Sequence, residues 1–276
     1  MTSSSTRVTF IGGGNMASAL IGGLLQRGFA AANFLVIDIS DAARQQLEQK
    51  FSVGTRASLG AVPLQTDVVV LAVKPQQLRE AAQTLKPLLA NQLVLTIAAG
   101  VRVSDLSRWL GGYSRIARAM PNTPALVLAG VTGLYATAQV DTRQRQQACD
   151  ILGAVGNVVW VEDEQQLDAV TAISGSGPAY VFYFIEAMDQ AAQDLGLSAA
   201  QARALVIDTF VGAAKLAALS EEPAAVLRTR VTSKGGTTER ALSGFDQAAL
   251  KSHIVTAVKS AAVRSRELGD TFGQAD

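Results

Sequence analysis

The sequence predicts an α/β protein in which an N-terminal doubly wound parallel sheet is followed by an all-helical C-terminal domain. Three observations carry this reading. From residue 7 to about residue 161, short β-type runs alternate with helical stretches, the pattern of a sheet built by crossovers. The first run passes directly into a glycine-rich turn and a helix, and after Glu162 no run reads as a strand. The implied division is residues 1–162 and residues 163–276.

The strand runs are Val8 to Gly12, Phe34 to Asp38, Val68 to Val73, Val94 to Ala98, Ser114 to Ala119, Gly133 to Ala136 and Asn157 to Val161. They are bounded by turn-forming residues and rich in β-branched and apolar side chains, as strands are. Helical segments fall near 15–27, 41–50, 76–89, 103–110 and 141–154. In the second half, Gly175-Ser176-Gly177-Pro178 ends a short helix and opens a long one, because proline suits a first helical turn. Ser198 is placed to cap the next helix, which runs to about Leu219. Pro223 opens another, and a final helix spans about Ala248 to Leu268.

The helix beginning near Pro178 reads Ala-Tyr-Val-Phe-Tyr-Phe-Ile-Glu-Ala-Met and is apolar on nearly every side. Such a helix must be enclosed all round. A domain of roughly 110 residues has trouble enclosing it alone, which predicts a homodimer formed through the C-terminal helices. A monomer whose first domain covers the helix is the competing reading.

Bulk composition narrows the function. The chain has 276 residues, 24 Lys and Arg against 23 Asp and Glu, and a net charge of +1. No basic field of the kind that drives nucleic-acid binding exists, so small neutral ligands or compact anions are the expected partners. A single cysteine, Cys149, excludes an internal disulfide framework and fits a reducing compartment. The segment Met1 to Arg7 lacks the apolar stretch of a signal peptide. No apolar run approaches the roughly 18 residues that span a bilayer. A cytoplasmic protein with no membrane or metal partner is expected.

Chemistry enters with the first turn. Val8-Thr9-Phe10-Ile11-Gly12-Gly13-Gly14-Asn15-Met16-Ala17 is a strand running into Gly-x-Gly-x-x-Ala and then a helix. Gly12 permits the tight turn, Gly14 lets the main chain approach phosphate oxygens, and Ala17 allows close helix-to-strand packing. The helix N-terminus offers free N–H donors to an anion, so a dinucleotide's pyrophosphate belongs here. Asp38 ends the next apolar run 21 residues past Ala17 (38 − 17), where an acidic side chain binds a ribose 2′-hydroxyl.

A second glycine loop lies at Arg230-Val231-Thr232-Ser233-Lys234-Gly235-Gly236-Thr237-Thr238-Glu239-Arg240. With Gly236 as N-cap, no capping side chain covers the first amides, and Glu239 at N3 reaches back to only one of them. Donors at 237 and 238 stay available, with the hydroxyls of Ser233, Thr237 and Thr238 beside them, so a small carboxylate fits. A plain helix-initiating turn is the alternative. Ketone reduction usually needs a His or Lys to protonate the alkoxide. The single histidine, His253, stands inside a predicted helix with no catalytic partner beside it. Related dehydrogenases acting on β-hydroxy acids carry Gly-x-x-x-Lys in the interdomain helix, and counting from Gly177 puts Val181 at that lysine. This favours reduction of a C=N bond, whose nitrogen can arrive already protonated.

These residues together resemble the pyrroline-5-carboxylate reductase family over essentially the whole length. The resemblance rests on Ile11 to Met16, Leu71-Ala72-Val73-Lys74-Pro75, Ile97-Ala98-Ala99-Gly100-Val101, Arg118 to Pro124, Ser174 to Tyr180, and Ser233 to Thr238. It implies hydride transfer from NADPH or NADH to the imine of pyrroline-5-carboxylate, giving L-proline. By likeness to the family, Ile11, Gly12, Gly13, Gly14, Asn15 and Met16 hold the pyrophosphate. Ala72, Val73, Lys74, Pro75, Ala98, Ala99 and Gly100 line the ribose and nicotinamide side. The amides of Gly235, Gly236 and Thr237, with Ser233, would take the substrate carboxylate, and Thr238 the ring nitrogen. The resemblance also implies a dimer of interlocked helical domains, which some members build into decamers.

Several positions keep structural alternatives. Lys74 serves the rigid turn at Pro75, Asn122 and Thr123 a turn between two prolines, and Ser176 a helix start. Lys234 stands where relatives usually have proline. Asp38 would repel a 2′-phosphate, while Ser40 and Arg44 stand near enough to accommodate one, so both coenzymes remain open. The rival functions are a β-hydroxy-acid dehydrogenase and a nicotinamide-nucleotide-binding regulatory protein without turnover.

Overall fold

The computed structural model describes residues 5–60 and 64–274, so the first four residues of the N-terminal stretch read above lie outside it. The chain divides into two compact units, residues 1–176 with 261–276, and residues 177–260.

The first unit is an eight-stranded sheet: β1 (Val8–Ile11), β2 (Phe34–Ile37), β3 (Gly54–Arg56), β4 (Val68–Leu71), β5 (Leu93–Thr96), β6 (Ile116–Met120), β7 (Gly130–Ala136) and β8 (Gly156–Trp160). The spatial order is β3-β2-β1-β4-β5-β6-β7-β8. Consecutive residues of the central strands point to opposite faces, and both faces are apolar because helices cover both. Val68 and Val70 pack with Leu20 and Leu24 of α1 (Asn15–Gln26) and with Ile151 of α5 (Thr142–Gly153). Val69 and Leu71 pack with Leu78 and Leu85 of α3 (Pro75–Leu85) and Leu106 of α4 (Val103–Trp109). Each such side chain, wholly withdrawn from water, contributes about 1.5–3 kcal/mol. The connection from β2 to β3 is α2 (Asp41–Phe51), capped by Ser40.

Two features depart from the sequence reading. β3 was not expected: Gly-Thr-Arg is half-exposed at the sheet edge and carries no apolar signal. The sheet is not wholly parallel, since β6 and β7 pair antiparallel, Met120 opposite Gly133. Residues 121–129 are too few for the dozen-residue crossover that a parallel neighbour requires.

The expected domain boundary at residue 162 falls inside the first unit. The segment after β8 packs onto the sheet through α6 (Gln166–Val170): Leu167 is wholly buried, and a Cβ on Gly133 would lie 2.6 Å from a Val170 methyl. The expected break at 175–178 is milder than a loop. Thr171–Gly175 forms a π-helical turn, with the Ser176 amide donating to the Thr171 carbonyl at 2.8 Å, and leads through Ser176 into α7 (Gly177–Asp194).

The second unit is helical throughout its regular structure: α7, α8 (Ala199–Leu219), α9 (Ala224–Arg230), α10 (Thr237–Gln247) and the first part of α11 (Leu250–Gln274). Ser198 caps α8 in a reciprocal box with Gln201, as its position predicts. α7 packs on α8, yet none of its residues is buried, and Phe182 and Tyr183 are 64% and 72% exposed. The last part of α11 belongs to the first unit, where Asp270 pairs with Arg102 at 2.6 Å.

Candidate functional site

The strand order reverses between β1 and β4, so their carboxyl ends open a crevice of the kind that binds ligands in doubly wound sheets. Gly12 leaves β1 with φ +99°, and its amide donates to the Ile37 carbonyl at 2.8 Å. A Cβ there would lie 2.7 Å from the Ala72 carbonyl oxygen, so the fold itself demands glycine. Gly13 is equally confined, its Cβ position lying 2.8 Å from a Leu47 methyl. Gly14 differs: it is exposed, has φ −70°, and a Cβ would meet nothing within 4 Å. Folding does not explain this third glycine, whereas close approach of a phosphate does. Gly14 is the N-cap of α1 and no side chain caps the helix, which leaves the first-turn amides for an anion. Asn15 is exposed and Met16 half-buried beside that end, while Ala17 is wholly buried. The residues present therefore fit a dinucleotide.

Asp38 follows β2 into the same crevice. Its carboxylate is fixed by two backbone amides, Gly13 at 2.7 Å on Oδ2 and Ser40 at 2.8 Å on Oδ1. On the other side of β1, the Ala72 amide donates to the Ile11 carbonyl at 2.8 Å, and Val73 is half-buried. Lys74 is an exposed N-cap without a side-chain cap bond, and Pro75 opens α3, so Lys74 occupies the turn position expected of it.

After β5, the Ala98 amide donates to Thr96 Oγ1 at 3.3 Å, Ala99 is exposed, and Gly100 turns with φ +76° against the Phe272 ring. Three residues on, the Val103 amide at the start of α4 donates to Glu164 Oε1 at 2.8 Å. That same oxygen accepts from Arg118 Nη1 of β6 at 2.7 Å. Sequence reasoning missed this pair, which ties the middle of β6 to the segment between β8 and α6, 46 residues apart in the chain. Asn122 is structural: its Oδ1 accepts from the Val131 amide at 2.9 Å and its Nδ2 donates to the Ser174 carbonyl at 3.2 Å.

In the second unit, Gly236 is the N-cap of α10 with no side-chain cap, as the sequence predicts. The donor set is smaller than expected. The Gly235 amide donates to Glu239 Oε2 at 2.7 Å, and the Gly236 amide to the Ser233 carbonyl at 3.0 Å. Glu239 does reach back to one amide, and that amide is Gly235's. The two glycines thus shape the turn, Gly235 with φ +72°, and the amides at Thr237 and Thr238 remain for an anion. Ser233, Lys234 and Thr237 are exposed and Thr238 is half-buried. His253 and Val181 are both exposed, on α11 and α7. Among the described residues no cluster of three or more His, Cys, Asp or Glu could hold a metal ion, and no helix is long and apolar enough to cross a membrane.

A glycine-cradled crevice at the switch point of a doubly wound sheet, followed in the chain by a helical unit with its own uncapped helix start, marks a dinucleotide-binding α/β protein. Residues 164–268 match the model for pyrroline-5-carboxylate reductase dimerisation, and residues 7–100 match that for NADP oxidoreductase, coenzyme F420-dependent. A pyrroline-5-carboxylate reductase of Pseudomonas aeruginosa is 44% identical over 98% of this chain and 100% of its own. Among solved structures, a pyrroline-5-carboxylate reductase from Coxiella burnetii is similar with a TM-score of 0.90 and 42% identity, over 95% of this chain and 98% of that one. The Plasmodium falciparum pyrroline carboxylate reductase, solved with NADP bound, aligns with a TM-score of 0.85 and 28% identity, over 96% and 99%. The chain belongs to the pyrroline-5-carboxylate reductase family.

Proposed function

We propose that the chain reduces the C=N bond of pyrroline-5-carboxylate to give L-proline, the last step of proline synthesis. NAD(P)H, when bound, supplies the hydride that adds to C5, and the nitrogen ends as the ring amine. Gly12 to Met16 hold the pyrophosphate, and Ala72 to Pro75 with Ala98 to Gly100 line the ribose and nicotinamide side. The Thr237 and Thr238 amides and the Ser233 hydroxyl take the substrate carboxylate, with Lys234 adding positive charge at the loop. The Thr238 hydroxyl orients the ring nitrogen. Catalysis is then mainly positioning: orientation of the reacting atoms and fixed dipoles at the carboxylate.

Val181 carries the choice of an imine over a ketone. An iminium nitrogen brings its own proton, so the site needs no lysine where hydroxy-acid dehydrogenases carry one. The bare faces of α7, Phe182 and Tyr183 included, support closure of a homodimer through the helical unit. Gel filtration reads that dimer, and the decamer that the resemblance to the family suggests. The lone Cys149 fits the reducing cytoplasm.

Mixing the protein with NADH or NADPH and pyrroline-5-carboxylate should oxidise the coenzyme and form proline one for one. No turnover with either coenzyme retires the proposal, and oxidation of a β-hydroxy acid with NAD⁺ promotes the dehydrogenase.

A further inference from the structure

We infer that this chain selects NADH over NADPH, through a closed arrangement of Asp38, Ser40, Asp41 and Arg44 beyond the end of β2. The inference rests on the coenzyme half of the reading above and names which form that half is built for.

An acid at this place meets the adenosine ribose. The Asp38 carboxylate cannot swing aside for a larger group, because it is held at both oxygens by the amides of Gly13 and Ser40, at 2.7 and 2.8 Å. Gly13 belongs to the phosphate turn itself, so moving Asp38 would disturb the pyrophosphate site. Two bonds leave a carboxylate about two further acceptor positions, and an acceptor-only group matches the two ribose hydroxyls as donors. A 2′-phosphate offers negative charge and acceptor oxygens instead.

Within this loop, the two groups able to offset that mismatch, Ser40 and Arg44, are already committed. Ser40 Oγ accepts from the Ala43 amide at 3.3 Å and so caps α2. The Arg44 guanidinium donates to the Asp38 main-chain carbonyl at 2.6 Å and forms an ion pair with the Asp41 carboxylate. Its side chain is only 17% exposed, whereas that of Asp41 is 80% exposed. The segment therefore presents two carboxylates and one neutralised cation to an entering phosphate, a net charge of −1 (−1 −1 +1). Like charges a few ångströms apart at a protein surface repel strongly enough to separate the two coenzymes by at least about tenfold.

Isothermal titration calorimetry of the full-length protein with NAD⁺ and with NADP⁺ tests this without requiring turnover. NAD⁺ should bind at least about tenfold more tightly. Asp41→Asn removes an exposed carboxylate and releases Arg44, so the NADP⁺ affinity should rise several-fold while that for NAD⁺ stays put. Asp38→Asn loses the charge and keeps one acceptor oxygen, enough for one of the two backbone amides, and should narrow the NAD⁺ preference further. Equal or tighter binding of NADP⁺ by the unsubstituted chain overturns the inference, as does a ratio unmoved by both substitutions. If NAD⁺ is preferred but pyrroline-5-carboxylate is not reduced, the selectivity stands and the proposed reaction falls.

Discussion

Replacing Glu164 by alanine tests how the coenzyme crevice is held in shape. The Arg118 side chain is 8% exposed and that of Glu164 is 21% exposed, with 2.7 Å between Nη1 and Oε1. The same oxygen accepts the Val103 amide at 2.8 Å. Removing the carboxylate strands a guanidinium in the interior and orphans a helix-start amide. Breaking a fully buried pair costs about 3–5 kcal/mol, and water reaching the partly exposed Glu164 side lowers this to about 2–4 kcal/mol. Because Val103 lies three residues beyond Gly100, coenzyme affinity should fall as well. Urea denaturation measures the first effect and calorimetric titration with NAD⁺ the second. An Arg118→Met/Glu164→Gln double variant, with no charge left to strand and an amide oxygen kept for the Val103 N–H, should regain most of the stability. A loss below about 0.5 kcal/mol for Glu164→Ala, or a double variant as unstable as the single, would refute the assignment.

Gly14→Ala should leave unfolding free energy within about 0.5 kcal/mol, since a Cβ there meets nothing within 4 Å, yet weaken coenzyme binding at least about tenfold; undiminished affinity would sink the phosphate cradle. Thr238→Ala should lower kcat/KM about 10- to 100-fold, the worth of a hydrogen bond to a charged partner, with the coenzyme Kd within about twofold. Full activity in that variant removes Thr238 from its role. Burial holds the Tyr113 phenol above its ordinary value of 10.0, against the opposing pull of Arg115. Its unfolded form ionises first, so this contribution to stability is complete below pH about 10 and is lost as pH rises beyond it. Tyr113→Phe should therefore show a shallower alkaline fall in Tm, and an unchanged slope would deny Tyr113 that part.

Much of the fold was legible because local and global signals agree. Val68 to Leu71 is a continuous apolar run because both faces of the sheet are covered, and Ser198 with Gln201 is a complete capping signature. The phosphate turn was readable for the same reason: strand, glycines and helix follow one another in sequence. What escaped depends on partners remote along the chain. Arg118 and Glu164 carry no motif, and β3 exists only because β2 offers it an edge, Val36 pairing with Thr55. The antiparallel pairing of β7 escaped because the strand starts at Gly130, ahead of the Gly133 read from sequence, and only that earlier start makes the connection too short for a parallel crossover. In the second glycine loop the sequence offers the glycine amides as donors, but Glu239 four residues past Gly235 and the Ser233 carbonyl take them. Spacing reveals which groups are close; it does not reveal which of several acceptors wins.

The central claim is that amides and hydroxyls position a protonated imine for reduction without an ionisable proton donor on the protein. It is tested most directly by kcat for pyrroline-5-carboxylate reduction in His253→Gln, which keeps the size and polarity of the chain's single imidazole but not its titration. The account predicts a kcat within about twofold of the unsubstituted chain. A loss of about 100-fold or more, the size of a missing general acid, would contradict it.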